Sequence, residues 1–138
     1  MSQENVEVVR QLFDAVARRD TETVLSLYDP EFEWDGTRSR WAEIIPGEAE
    51  FHGHEGLRRF FRLYYETWES FEDDVQELID AGDHAISVVT SRGRGRDSGI
   101  DVEWAGNAGV WTVRDGKIVR VVWFSTREEA LDAVGLSE

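Results

Sequence analysis

Apolar residues recur at helical spacing at the start of the chain, where Val6, Val9, Leu12, Phe13 and Val16 fall three and four apart. That period predicts an amphipathic helix, capped by Ser2 or Asn5 and closing near Arg18-Arg19, where cations suit the negative end of the helix dipole. Asp20 or Thr21 then opens a short second helix carrying Val24, Leu25, Leu27 and Tyr28, and Asp29-Pro30 stops it. Phe32 and Trp34 alternate with Glu31, Glu33 and Asp35, the period of a half-buried strand with its aromatics inward. Residues 36–50 show no clean period; Gly36, Pro46 and Gly47 surround Trp41, Ile44 and Ile45 and describe an irregular arm. Helical spacing returns after Gly53-His54-Glu55-Gly56, in Leu57, Phe60, Phe61, Tyr64 and Trp68.

From there the period is two. Val75–Asp80 and Ala85–Ser91 read as paired strands around Ala81-Gly82-Asp83, and Gly93, Gly95 and Gly99 mark the next reversal. Ile100, Val102 and Trp104 begin another strand, after which Gly106 and Gly109 point to a bulge or a close backbone approach. The strongest local signal is Gly109–Phe124, two β-rich runs joined by Asp115-Gly116, residues that supply the positive φ angles of a two-residue hairpin turn. Uninterrupted pairing from that turn sets Val113 against Ile118, Thr112 against Val119 and Trp111 against Arg120. It assigns Val110, Thr112, Val119, Val121 and Trp123 to one face and Trp111, Val113, Ile118, Val122 and Phe124 to the other. Both faces are apolar, so helices are expected over one, with Trp123 looking inward, and a second chain or more of this one over the other. A last helical turn spans Glu128 to Val134, with Thr126 as cap and Gly135 as stop. Three helices followed by a mostly antiparallel sheet is an α+β order.

Composition narrows the function classes. The 138 residues fit one domain, 1–138, and contain no cysteine, which excludes disulfides and thiolate metal sites. Fifteen basic against 29 acidic side chains give a net charge of −14, which disfavours nucleic acid and anionic membranes as partners. No apolar run approaches the roughly 20 residues needed to cross a bilayer. No secretory pattern is visible at Met1–Asn5, so a cytoplasmic location is the default expectation. Seven Phe, six Trp and three Tyr suffice for an ordinary core or for the lining of an apolar pocket.

Taken in order, the two opening helices, "YDPEFEW", "FHGHEGLRRFF", "ELIDAGD", "VWTVRDGKIVRVVWF" and "REEALDAVGL" resemble the SnoaL-like branch of the nuclear transport factor 2-like superfamily. The resemblance implies a strongly curved, mostly antiparallel sheet wrapped as a cone around three helices from the first half of the chain, a cystatin-like arrangement. It further implies one internal cavity and a homodimer formed through the outer sheet face. Isomerases, cyclases, hydrolases, dehydratases and non-catalytic modules share that cone, so fold alone leaves the chemistry open. A ketosteroid-isomerase-like base would fall at Trp34 or Asp35, while the position of that group's acid donor falls near Ala108, beside Asn107. No Arg-x-Asp unit of the limonene-epoxide-hydrolase type occurs on a strand. The last strand ends in Ser125-Thr126 where related chains carry an aspartate.

The candidate residues each have two readings. Asp35 is a general base with its pKa raised by an apolar cavity, or a turn residue pointing outward, as strict alternation with Trp34 requires. Glu103 is a second cavity acid or a solvent-facing residue opposite Trp104. His52 and His54 flank a flexible glycine and offer hydrogen bonds or a proton relay at a cavity mouth; they do not make a metal site, which needs three convergent ligands. Arg92, Arg94 and Arg96 form a solvated hairpin end or a patch for an anion. No nucleophile elbow or phosphate-binding glycine loop is present, so no cofactor is expected.

Two functions follow. One is cofactor-independent proton transfer on a small apolar, cyclic or carbonyl-bearing molecule, with Asp35 or Glu103 as base and His52, His54, Tyr28 or Asn107 as donor to a developing oxyanion. Phe13, Tyr28, Trp34, His52, Phe61, Trp104, Asn107 and Trp123 would hold that molecule. The other is a non-catalytic dimeric module that binds a ligand or serves as structure.

Overall fold

The computed structural model describes residues 2–39 and 49–136. The arm expected around Trp41, Ile44, Ile45, Pro46 and Gly47 lies outside the described residues. Helix α1 (Ser2–Ala17) buries Val9, Leu12 and Ala15, the face its spacing predicts. It closes through Arg19 N–H to Val16 O (3.0 Å) and Asp20 N–H to Ala15 O (2.9 Å), with Arg19 left-handed at φ 56°. Glycine is the usual occupant of that position, so an arginine there carries about 1–2 kcal/mol of backbone strain. Asp20 caps α2 (Thr21–Leu27), accepting from Thr23 N–H at 3.2 Å and from Thr23 Oγ1–H at 2.6 Å.

β1 (Tyr28–Arg38) and β2 (Glu50–His52) precede α3 (Gly53–Thr67), and β3 (Trp68–Ala81), β4 (His84–Gly95), β5 (Asp101–Arg114) and β6 (Lys117–Phe124) follow. The chain then turns into α4 (Arg127–Ala133), capped by Thr126, whose hydroxyl accepts from Glu129 N–H. The six strands form one curved sheet in the order β2-β1-β6-β5-β4-β3, antiparallel except between β1 and β6. Its inner face closes over α1 and α3 around Trp111, Val113, Ile118, Val121 and Trp123.

The hairpin departs from the uninterrupted pairing in one respect that decides its faces. Asp115 and Gly116 adopt φ 52° and 75°, and Val113 does pair with Ile118, but Thr112 pairs with Arg120 and Trp111 with Val121. Val119 is therefore an extra residue on β6, a bulge that reverses the alternation beyond it. Val121 and Trp123 consequently join Trp111 and Val113 inside, with the Trp111 and Trp123 rings 5.6 Å apart. Val110, Val122 and Phe124 turn to the outer face. There Ile86, Val88, Ala108, Val110 and Phe124 form a second buried cluster with Ala130 and Leu131 of α4. The chain's own last helix thus supplies part of the cover that the outer face needs.

Trp68 is the other correction. Its position at helical spacing suggested a last residue of the third helix, yet α3 ends at Thr67 and Trp68 begins β3, seven residues before Val75. The Arg96 guanidinium fixes this junction by donating to Tyr65 O (2.9 Å) and Trp68 O (3.0 Å), a cation at the carbonyl end of the helix.

Candidate functional site

Alternation along β3 places Phe71, Asp73 and Val75 on the inner face, opposite Gly93, Ser91 and Val89 of β4. A carboxylate therefore stands in an apolar row. Asp73 is half-buried, and its Oδ1 accepts from Ser91 Oγ–H at 2.7 Å. Burial raises its pKa from 3.8 to about 6, against the smaller lowering effect of the Ser91 bond. The group is mostly ionised at pH 7 and lies within reach of either proton state, the range suited to a general base.

Two adjoining cavities meet at this residue. The inner one, about 50 Å³, is walled by α1, α3 and the sheet and includes Tyr28, Trp34, Phe60, Phe61, Trp111 and Trp123. The outer one, about 210 Å³, opens between the end of α1, α3 and β3 and includes Arg19, Tyr65, Trp68, Phe71 and Glu72. Phe13, Val16, Tyr64 and Asp73 line both. Burial raises the pKa of the Tyr28 hydroxyl, and burial together with the charge of Asp73 raises that of Tyr64, so both stay protonated. Asp73 is the sole titratable carboxylate among the described residues lining the inner chamber.

Gly93 shapes the outer cavity. A Cβ there would stand 2.9 Å from both Phe71 Cδ2 and Trp68 Cε3, so the bare backbone lets the two rings lie against the sheet. Those rings are 5.6 Å apart, and each also neighbours Trp104, at 6.2 Å from Trp68 and 5.6 Å from Phe71.

The residues singled out from sequence divide sharply. Phe13, Tyr28, Trp34, Phe61 and Trp123 come together around the inner cavity. Trp104 stands behind the outer one, and Asn107 is buried on the inner face with no hydrogen-bond partner for its Nδ2 among the described residues. The carboxylates expected to act do not join them. Asp35 pairs across β1 and β6 with outer-face Val122, and its Oδ1 accepts from Thr37 N–H at 2.8 Å and Thr37 Oγ1–H at 2.6 Å, the turn-residue arrangement. Glu103 is exposed and accepts from Arg92 Nε–H at 2.7 Å. His54 Nε2 lies 2.9 Å from Tyr28 O, which ties the start of α3 to β1, and His52 is exposed 3.6 Å from Glu31. Arg94 pairs with Glu69 and Asp101, and Arg96 donates to the Tyr65 and Trp68 carbonyls, so Arg92, Arg94 and Arg96 are each engaged by neighbours. Among the described residues no three His, Asp or Glu side chains converge as a metal site.

A family profile described as a SnoaL-like domain matches residues 9–121, from α1 into β6. The chain belongs to the SnoaL-like family. No curated protein matches it. Among solved structures, a nuclear transport factor 2-like protein from Burkholderia thailandensis is 28% identical, with 87% of this SnoaL-like chain and 88% of that chain covered and a TM-score of 0.75. TerC, co-crystallised with polyporic acid, is 21% identical over 95% of this chain and 97% of its own, with a TM-score of 0.76. A protein of ketosteroid isomerase-like fold from Catenulispora acidiphila, in complex with trimethylamine, is 15% identical over 94% of this chain and 93% of its own, with a TM-score of 0.71.

Asp73 is the cavity-lining carboxylate of this SnoaL-like chain that sequence reading missed. The signal was present in Phe71-Glu72-Asp73-Asp74-Val75, where Asp73 occupies the apolar phase, but it becomes visible only if the strand begins before Val75. Arg19 read simply as a helix-ending cation, and nothing in the sequence marked its left-handed backbone.

Proposed function

We propose that this SnoaL-like protein binds a small molecule with an apolar or cyclic body in the joined cavities and moves a proton with Asp73. The observation that carries the reading is a carboxylate of pKa about 6 on the wall of an aromatic cavity. Desolvation keeps Asp73 basic enough to take a proton from carbon or oxygen, and the protonated hydroxyls of Tyr28 and Tyr64 are donors for the negative charge that develops. The base role thus passes from Asp35 and Glu103 to Asp73. The ligands named for the two relatives, polyporic acid and trimethylamine, are chemically unlike, so the shared fold leaves the substrate open. Cofactor-independent isomerisation, cyclisation and dehydration all fit a single proton carrier.

The test is deuterium exchange at carbon in a panel of small cyclic ketones, followed by NMR in D₂O. The wild-type protein is expected to accelerate exchange for at least one ketone, and Asp73→Asn to lose that acceleration by a factor of about 100 or more. Undiminished exchange in Asp73→Asn would remove Asp73 from the mechanism. Acceleration of none of the panel would favour the binding-module reading, which the absence of a second carboxylate from the described lining of the inner chamber supports. Homodimerisation through the outer face belongs to the same proposal, with Val119 and Val122, both half-buried in the isolated chain, as the contact; a monomer in sedimentation would count against it.

A further inference from the structure

The outer cavity combines five aromatic side chains, Phe13, Tyr64, Tyr65, Trp68 and Phe71, with the carboxylate of Asp73. Ring faces are negative, and several around one space attract a cation with little hydration of its own. The protein already uses one of these faces in this way, because the Arg19 guanidinium lies 5.1 Å from the centre of the Tyr65 ring. Arg19 is exposed and held at φ 56°, so the fold keeps a cation at the mouth despite the strain.

Asp73 is the carboxylate on the cavity face of β3, and Arg19 stands at the mouth. An anion would meet the aromatic walls, Asp73 and a net protein charge of −14, whereas a cation is drawn by all three. A neutral apolar ligand would gain the ring contacts but nothing from the carboxylate.

We infer that the outer cavity is a binding site for a small organic cation, a methylated or alkylated ammonium group, held against the aromatic walls and balanced by Asp73. The site stands whether or not Asp73 also transfers a proton. Arg19 acts as the resident cation, which the ligand displaces from Tyr65 or opposes across the mouth. The inference gives the Asp73 position a second use: a bound cation offsets the cost of burying the carboxylate and keeps it ionised. The titratable groups lining the cavity with Asp73 are Tyr64 and Tyr65 of α3 and Arg19 after α1, while Glu72, its neighbour on β3, alternates to the opposite face; the Ser91 hydroxyl from β4 is its hydrogen-bond donor.

The experiment compares tetramethylammonium with tert-butanol, a neutral molecule of similar size and shape, by saturation-transfer NMR on the full chain at fixed ionic strength. Tetramethylammonium is expected to bind at least about tenfold more tightly than tert-butanol, and Asp73→Asn to weaken it about tenfold. Arg19→Gln should strengthen it about two- to fivefold by removing the competing positive charge, a direction that a loss of fold would not produce. Glu72→Gln, on the opposite face of β3, removes the same charge outside the cavity and should change binding by less than about twofold. Equal binding of the two probes, undetectable binding of tetramethylammonium, or weaker binding by Arg19→Gln would each overturn the inference. Cation binding with the proton-exchange assay blank would leave the site standing and remove the proton-transfer reading.

Discussion

Asp73 costs the fold something, and the sign of that cost is testable. An acid whose folded pKa of about 6 exceeds its ordinary 3.8 holds its proton more tightly in the folded chain. Stability therefore falls as pH rises from about 4 through 6 and stays lower above that range. Asp73→Asn removes the buried charge while keeping an oxygen to accept from Ser91. It should be more stable than wild type by about 3 kcal/mol at pH 8, with the difference closing towards pH 4. Urea denaturation at the two pH values checks this, and a difference independent of pH would show that the carboxylate carries no desolvation cost. The same residue shows why the site was only partly legible in the sequence. Phe13, Tyr28, Trp34, Phe61 and Trp123 were readable as cavity candidates because inward aromatics declare themselves by period. A single aspartate among four acids within six residues, Glu69, Glu72, Asp73 and Asp74, declares nothing until the strand's first residue is known.

Strands β3 and β6 each carry a place where local geometry decides the packing. On β6, Val119 shifts the face of everything after it, and no residue type in Ile118-Val119-Arg120-Val121 announces the bulge, since apolar side chains suit either face. Removing Val119 would leave Arg120 opposite Thr112 and Val121 opposite Trp111 in regular alternation, with Val121 and Trp123 still inside. We expect that deletion to keep cooperative unfolding seen by near-ultraviolet circular dichroism, and Val119→Ala to cost no more than about 1 kcal/mol. A deletion variant that loses cooperative unfolding would contradict the register. On β3, the approach of Trp68 and Phe71 to Gly93 makes Gly93→Ala an overpacking change. It should destabilise by about 1–3 kcal/mol and weaken any ligand of the outer cavity, because both rings must move off the sheet. Calorimetry showing an unchanged melting temperature would place the rings elsewhere. The helices were the easier part of the reading, as α1 and α3 each bury the stripe their spacing describes. The end of α3 was not, because Trp68 satisfies the helical period and the strand equally well.

For the molecule as a whole, the two apolar faces of the sheet have different fates. The inner one closes over α1 and α3 and leaves a small aromatic chamber; the outer one is covered in part by α4. The cone was legible because helix order, hairpin chemistry and turn glycines all agree with it, a consistency across levels that a single motif would not provide. What the sequence could not reveal is that two cavities meet at one carboxylate, since that depends on the strand register across β3 and β4. Net charge belongs to this scale too: at −14 the molecule repels anionic ligands before they reach the cavity and favours neutral or cationic ones. The proton-transfer account and the cation site share one premise, that Asp73 is a partly desolvated carboxylate facing the cavities. Titration of the Asp73 carboxyl carbon by NMR measures that premise directly. The account predicts a midpoint near 6, and a midpoint at the ordinary value of 3.8 would contradict it.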